Sequence, residues 1–297
     1  MPLSSDVVFK RMFSKEENKD LLKSLLEAIL KTNIRIIEIK NPEISRDLKD
    51  SKAGTLDVKA EINGNMIIDI EMQVEDEKNM SERSTRYLMG MSNDELKKGE
   101  DYKEIRKVVT INLLKYNYLK RNSYFSVAHL KFEDTLPEAY VDMEYDEEVD
   151  LATDRLEMIF IELPKFKKKN PDLSSELNQW LWLILGEEAK IEMASKENKK
   201  IRKAVQIIDE MSMDPKEWEL YRSRQMAIMN YNAGIYFARK EGREEGIKEG
   251  REEGIKEERI ENAKKMLSYG IEPKQVSKIT GLTIKELEQL REKVGKN

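Results

Sequence analysis

Two alternating stretches around Asn63-Gly64-Asn65 constrain this chain more than any other feature. Leu56, Val58, Ala60 and Ile62 alternate with Asp57, Lys59 and Glu61. Met66, Ile68, Ile70, Met72 and Val74 alternate with Ile67, Asp69, Glu71, Gln73 and Glu75. A period of two marks a strand with one apolar and one polar face, and Asn-Gly-Asn between two such runs is hairpin chemistry. The register follows, because a one-residue slip would turn a whole apolar set outward. A three-residue loop puts Ile62 opposite Met66, Ala60 opposite Ile68, Val58 opposite Ile70 and Leu56 opposite Met72.

The same register puts Asp57 opposite Glu71 on the polar face, with Gln73 two residues further on. It also predicts an ion pair between Lys59 and Asp69. Residues opposed across an antiparallel pair have Cβ atoms about 4.5–5.5 Å apart. Two carboxylates at that spacing repel unless a cation lies between them, and an oxygen-only set suits Mg²⁺ or Mn²⁺ better than zinc. The plainer reading is an exposed face with ordinary solvated acids. Against it, aspartate is depleted in strands, yet Asp57 and Asp69 both fall within one.

Other chemistries are narrowed by residues the chain lacks. No cysteine excludes disulfides, thiol nucleophiles and Cys-bearing zinc or iron–sulfur sites. A single histidine, His129, excludes any site needing two imidazoles. His129 lies in the strand-like SVAHLKF, where a structural role competes with a catalytic one. MPLSSDVVFKRMF has no signal-peptide pattern, and the most apolar segment, Leu21 to Leu30, carries Lys23 and Glu27 and is too short to cross a bilayer. The expected setting is a reducing cytoplasm. The net charge of −5 means that nucleic-acid binding would need a local basic patch.

The remaining pattern predicts an α/β fold with a mixed sheet. The first segment reads as a loop. Ser14-Lys15-Glu16-Glu17 then reads as a capping box opening a helix with Leu21, Leu22, Leu25, Leu26, Ile29 and Leu30 on one face. Ile34 to Ile39 reads as a strand ended by Asn41-Pro42. A charged helix is expected from Ser81 to about Lys98, with Gly99 as its stop. KVVTINLL (107–114) and LEMIFIEL (156–163) read as strands, the second closed by Pro164. Lys167-Lys168-Lys169 then reads as a solvated loop or a phosphate rim. Arg83, Arg86 and Tyr87 share one helix face, either toward DNA phosphates or with Tyr87 packed on the core.

From Asp172 the chain reads as helical. Residues 242–257 are GREEGIKE twice over, a period that is neither a heptad nor a solenoid unit. Its glycines weaken a helix while its opposite charges at i,i+3 and i,i+4 support one. A solvated stalk or linker and a charged interaction arm both fit. Ile247 and Ile255 are its only apolar residues and form a thin seam. The tail from Asn262 to Val294 has helix–turn–helix punctuation at Gly270, Pro273, Gly281 and Thr283. It fits either a DNA-reading helix or a small bundle used for packing or oligomerisation.

Together these segments resemble the PD-(D/E)XK nuclease superfamily, and more closely the recombination-promoting nucleases, also called PD-(D/E)XK nuclease family transposases. The segments are TLDVKAEINGNMIIDIEMQV, DVVFKRMF, the leucine-rich first helix, IIEIKNPEI, ERSTRYLMGM with LKKGEDY, IFIELPKF, the Gly-Arg-Glu-Glu-Gly repeat and ITGLTIKELEQL. The resemblance implies a restriction-endonuclease-like mixed-sheet core flanked by helices, with a helical C-terminal extension. The expected parts are a core over 1–170, a helical region over 171–239, a charged octad segment over 240–261 and a helix–turn–helix-like tail over 262–297. It implies a Mg²⁺-dependent DNA endonuclease, with Mn²⁺ as an alternative ion, of recombination-promoting or mobile-element type. Asp57, Glu71 and Gln73 would be catalytic, and Asp57, Glu71 and the Met72 carbonyl would hold the metal.

Gln73 stands where the superfamily usually has lysine. Glu95 stands where the family usually has glutamine, and Ser51-Lys52 where it often has Asp-Lys. Lys10, Lys59, Arg83, Arg86 and Tyr87 are the expected DNA contacts, with Lys10 also readable as a surface lysine beside Phe9 and Phe13. DNA is the expected partner, together with a second copy of the chain through the C-terminal helices. No membrane and no small-molecule cofactor are expected. The rival is an inactive DNA-binding or oligomerising protein that keeps the fold. A structural coiled coil is disfavoured, because no heptad persists.

Overall fold

The computed structural model describes residues 1–40, 57–95, 101, 105–131 and 151–294. Asn41-Pro42, Ser51-Lys52, Leu56 and Gly99 lie outside the described residues. The chain divides into two units, Met1–Arg224 and Gln225–Asn297.

In the first unit a six-stranded sheet runs in the order β1-β2-β3-β4-β6-β5. Its strands are β1 (Ile37–Lys40), β2 (Val58–Ile62), β3 (Met66–Gln73), β4 (Lys107–Leu114), β5 (Phe125–Lys131) and β6 (Leu151–Glu162). β1, β2 and β3 are antiparallel neighbours, β3–β4 and β4–β6 are parallel, and β5 returns antiparallel at the edge. The hairpin register is the one derived from the alternation: Ile62 faces Met66, Ala60 faces Ile68 and Val58 faces Ile70. Its turn needs left-handed backbone at Asn63 (φ 51°) and Gly64 (φ 68°), which these two residue types tolerate. The Asn63 side chain also accepts the backbone N–H groups of Arg35 and Ile36, at 2.8 and 3.2 Å, so the turn is tied to the segment entering β1.

Both faces of the sheet are covered. Helices α1 (Asp6–Phe13), α2 (Lys19–Leu30), α4 (Leu163–Lys169), α5 (Glu176–Leu185), α6 (Glu188–Glu197) and α7 (Lys199–Met213) share one large core with Ile68, Ile70, Val109, Ile111 and Ile159. α3 (Met80–Glu95) covers the other face, where Tyr87, Leu88 and Met91 pack on Ile67 and Val108. Parallel strands are normally covered on both sides, and β3 and β4 follow that rule.

Three local expectations are corrected. DVVFKRMF is a helix, because Val8, Phe9, Met12 and Phe13 bury one face of it. Ser14 does not open α2. It ends α1, donating its hydroxyl back to the Lys10 carbonyl, and Asn18 takes the entry to α2. Pro164 follows the end of β6, as expected, but opens no loop: it occupies the first turn of α4, where its missing N–H leaves no helical bond unmade, so the expected loop at 167–169 is helix. Lys167, Lys168 and Lys169 form the last turn of that helix, where cations suit the dipole.

In the second unit the octad repeat is continuous helix, within α8 (Pro215–Ser268). Ile247 and Ile255 are exposed. α9 (Pro273–Thr280) and α10 (Ile284–Val294) follow, joined through Gly281 at φ 75°. Thr283 and Glu286 make a reciprocal capping box: the Glu286 N–H reaches the Thr283 hydroxyl at 3.3 Å, and the Thr283 N–H reaches the Glu286 carboxylate at 2.8 Å. Ala263, Val276, Leu282 and Leu287 make a small core of their own.

Among the described residues, the large core of the first unit draws on none beyond Tyr221. Removing residues 240–297 should therefore move the melting temperature of the rest by less than about 3 °C, equivalent to under about 1 kcal/mol for a domain of this size. Thermal circular dichroism checks this, and loss of the cooperative transition would mean that the tail supports the core.

Candidate active site

Asp57 and Glu71 meet where β2 begins. The Asp57 N–H donates to Glu71 Oε1 at 2.9 Å, and the Met72 N–H donates to Asp57 Oδ2 at 3.0 Å. The two carboxylates are thus locked across the hairpin by each other's strand. Gln73 Nε2 donates to Glu71 Oε2 at 2.7 Å, and Arg83 Nη2 of α3 approaches that same oxygen at 3.4 Å.

The polar face of the hairpin is not solvated. Glu71 and Asp69 have no exposed surface, because α3 lies over them. Sequence alternation cannot see this covering layer, since a strand patterned for one apolar face leaves open what covers the other. Lys59 turns to Asp94 of α3 at 3.9 Å and not to Asp69. Neither oxygen of Asp69 has a hydrogen-bond partner among the described residues. Nearby, Ser84 donates to the Asn112 side chain at 2.9 Å, and Asn112 donates to the Ile159 carbonyl at 3.1 Å, so the layer beneath α3 is polar as well as apolar.

Burial dominates the electrostatics. It raises the Asp57 carboxyl, opposed by the Met72 N–H and by the Lys10 charge. It pushes Glu71 up to about 7, with repulsion from Asp57 next and Arg83 opposing. Asp69 is raised well above the usual carboxylate range by burial, then by Glu71 and Asp57. Such a set is poorly served by protein cations alone, since each buried carboxylate disfavours charge on the next. Among the described residues no three His, Cys, Asp or Glu side chains converge to hold a metal.

The other expected contacts divide. Lys10 of α1 acts on Asp57. Arg83 is half-buried and turned to Glu71, with its guanidinium 5.4 Å from the Tyr87 ring centre. Arg86 is exposed. Tyr87 is only 7% exposed and belongs to the core under α3, so its ring is a packing group. His129 lies on the edge strand β5, three strands away from β3, with Nδ1 3.9 Å from Glu157. Glu95 pairs with Arg106, which also holds Glu61 at 2.8 Å, so this departure from the family pattern has a structural partner.

A mixed six-stranded sheet flanked by helices, with Asp57 and Glu71 brought together on its hairpin, fits the PD-(D/E)XK class of fold. A family described as PD-(D/E)XK nuclease family transposase matches residues 3–238, and the chain belongs to it. The C-terminal HTH domain of the Rpn/YhgA-like nuclease family matches residues 256–292, which favours the helix–turn–helix reading of α9 and α10. No curated protein matches, and no solved structure does. The function is therefore of nuclease or transposase type. Among the described residues no helix is long and apolar enough to cross a membrane.

Proposed function

We propose that the chain is a Mg²⁺-dependent DNA endonuclease, with Mn²⁺ able to substitute, serving recombination or a mobile element. The observation that carries this is the cross-strand lock of Asp57 and Glu71 beside Gln73. Asp57, Glu71 and the Met72 carbonyl would hold the ion. When bound, it supplies a Lewis acid for the phosphoryl oxygen and lowers the pKa of a bound water. Gln73 orients a water by hydrogen bonding and cannot be the general base, because an amide does not titrate in this range. Lys10 and Arg83 place positive charge beside the carboxylates and would meet the scissile phosphate. Arg86, exposed on α3, would hold a flanking phosphate, whereas Lys59 is buried against Asp94.

Plasmid cleavage with Mg²⁺, with Mn²⁺ and with EDTA tests the reading, with Asp57→Ala alongside. Metal-dependent nicking or linearisation that EDTA abolishes is expected. Cleavage that survives EDTA, or none by the purified full chain with either metal, overturns it.

A second copy of the chain is the proposed protein partner. Met226, Met229, Tyr236 and Phe237 of α8 are 60, 69, 65 and 60% exposed, and they fall within one helical face at spacings of three, seven and one. Light scattering should report an oligomer that Met229→Glu with Phe237→Glu reduces to monomer. A monomeric parent rejects the assignment.

A further inference from the structure

We propose that the loop after β4 and the last turn of α4 form a basic ridge that binds the phosphate backbone of duplex DNA beside the carboxylate site. The inference rests on the nuclease reading and adds a substrate-holding surface to it.

The charge is local and one-sided. Residues 115–121 (KYNYLKR) and 163–170 (LPKFKKKN) carry seven cations and no acid, in a chain whose net charge is −5. The fold brings these two segments together, because Lys165 Nζ donates to the Leu119 carbonyl at 2.6 Å. Two of the cations are neutralised: Lys165 by Glu162 at 2.6 Å, and Lys167 by Glu187. Lys120, Arg121 and Lys168 are exposed and have no carboxylate partner among the described residues.

The ridge lies next to the site by strand register. Gln73 pairs with Leu114, and Leu114 with Glu162, across three parallel strands that end on one edge of the sheet. At about 4.8 Å per strand, Glu162 stands roughly 10 Å from Gln73. The Lys115 N–H donates to the Gln73 carbonyl at 3.0 Å, so the loop starts at the site itself. Ligands of open α/β sheets gather outside the carboxyl ends of the strands, and both the ridge and the carboxylates are there.

The loop is also held still. Buried Glu162 accepts the N–H groups of Tyr118 and Leu119 at 2.6 and 3.2 Å. The Tyr118 ring stacks on Phe160, and its hydroxyl bonds Ser81 at the start of α3, accepting from the N–H at 2.9 Å and donating to the side chain at 2.8 Å. Cations on a fixed loop lose less entropy on binding than cations on a mobile one. Lys120 and Arg121 are thereby presented at one spacing from the site.

The test is a salt titration of DNA binding, read by fluorescence anisotropy on a short labelled duplex. It uses the full chain carrying Asp57→Ala, so that the DNA is not consumed. Adding Lys120→Ala, Arg121→Ala and Lys168→Ala should weaken binding about tenfold or more at physiological salt and lower the slope of log K against log salt by about 2–3, near 0.9 per lost phosphate contact. Lys120→Glu with Lys168→Glu should weaken it further, and circular dichroism should show both proteins folded. An unchanged slope and affinity in the triple variant overturns the ridge, as does a parent that does not bind DNA. Ridge-dependent binding by a wild type that cleaves nothing supports the ridge and rejects the nuclease chemistry. Cleavage with ridge-independent binding does the reverse.

Discussion

Asp57→Ala is expected to lower Mg²⁺-dependent DNA cleavage by about a thousandfold or more, a loss above about 4 kcal/mol of transition-state stabilisation. The substitution removes one of the two carboxylates that would hold the ion, and it releases the Met72 N–H that fixes the hairpin end. Glu71 needs a gentler probe, because its side chain is wholly buried beneath α3. Glu71→Ala would open a cavity and strip Arg83 of its partner, mixing a folding defect with a catalytic one. Glu71→Gln keeps the volume and the acceptor for the Asp57 N–H while removing the charge. It should match Asp57→Ala in activity and melt no lower than the wild type, since it also removes a buried carboxylate repelled by Asp57. Single-turnover cleavage and thermal melts on the same preparations separate the two effects. Full activity in both variants would move the site elsewhere.

The second large effect is on stability. Trp180 of α5 is fully buried, lies 6.0 Å from the Phe13 ring of α1, and donates its indole N–H to Ser24 of α2 at 3.1 Å. One side chain thus joins α5 to two helices more than 150 positions earlier in the sequence. Trp180→Ala should cost about 3–5 kcal/mol through lost transfer energy and an unfilled cavity. Ser24 also loses its partner. At about 2–4 °C per kcal/mol, the melting temperature should fall by roughly 6–20 °C. Urea unfolding followed by tryptophan fluorescence and circular dichroism measures it. A loss below about 1 kcal/mol would mean that α5 is an appendage rather than part of the core that seats α1 and, through it, Lys10.

The hairpin and its register were legible because both faces of each strand obey one arithmetic rule, and Asn63-Gly64 names its own turn. β4, β6 and the tail helices were legible for similar local reasons: β-branched runs, and glycines at helix ends. The burial of Glu71 was not legible. Ile67, Asp69, Glu71 and Gln73 read as a solvent face, and only the packing of Tyr87, Leu88 and Met91 on Ile67 and Val108 reveals a second layer. Helix α1 was missed because its Phe and Val anchors match a partner that lies elsewhere in the sequence. Lys59 was assigned to Asp69 by register alone, and α3 offered it Asp94 instead.

The basic ridge lies at the same boundary. Its two segments are visibly cationic, but nothing local says that residues 115–121 and 163–170 touch. The sequence by itself determined the hairpin, the pairing of Asp57 with Glu71 and the family, because alternation, turn chemistry and motif order are short-range properties. Tertiary structure alone decided which polar face is dry, which cation meets which acid and where the basic segments converge. Those outcomes depend on what packs over each strand, and that is set by chain crossings of dozens of residues that no local pattern encodes.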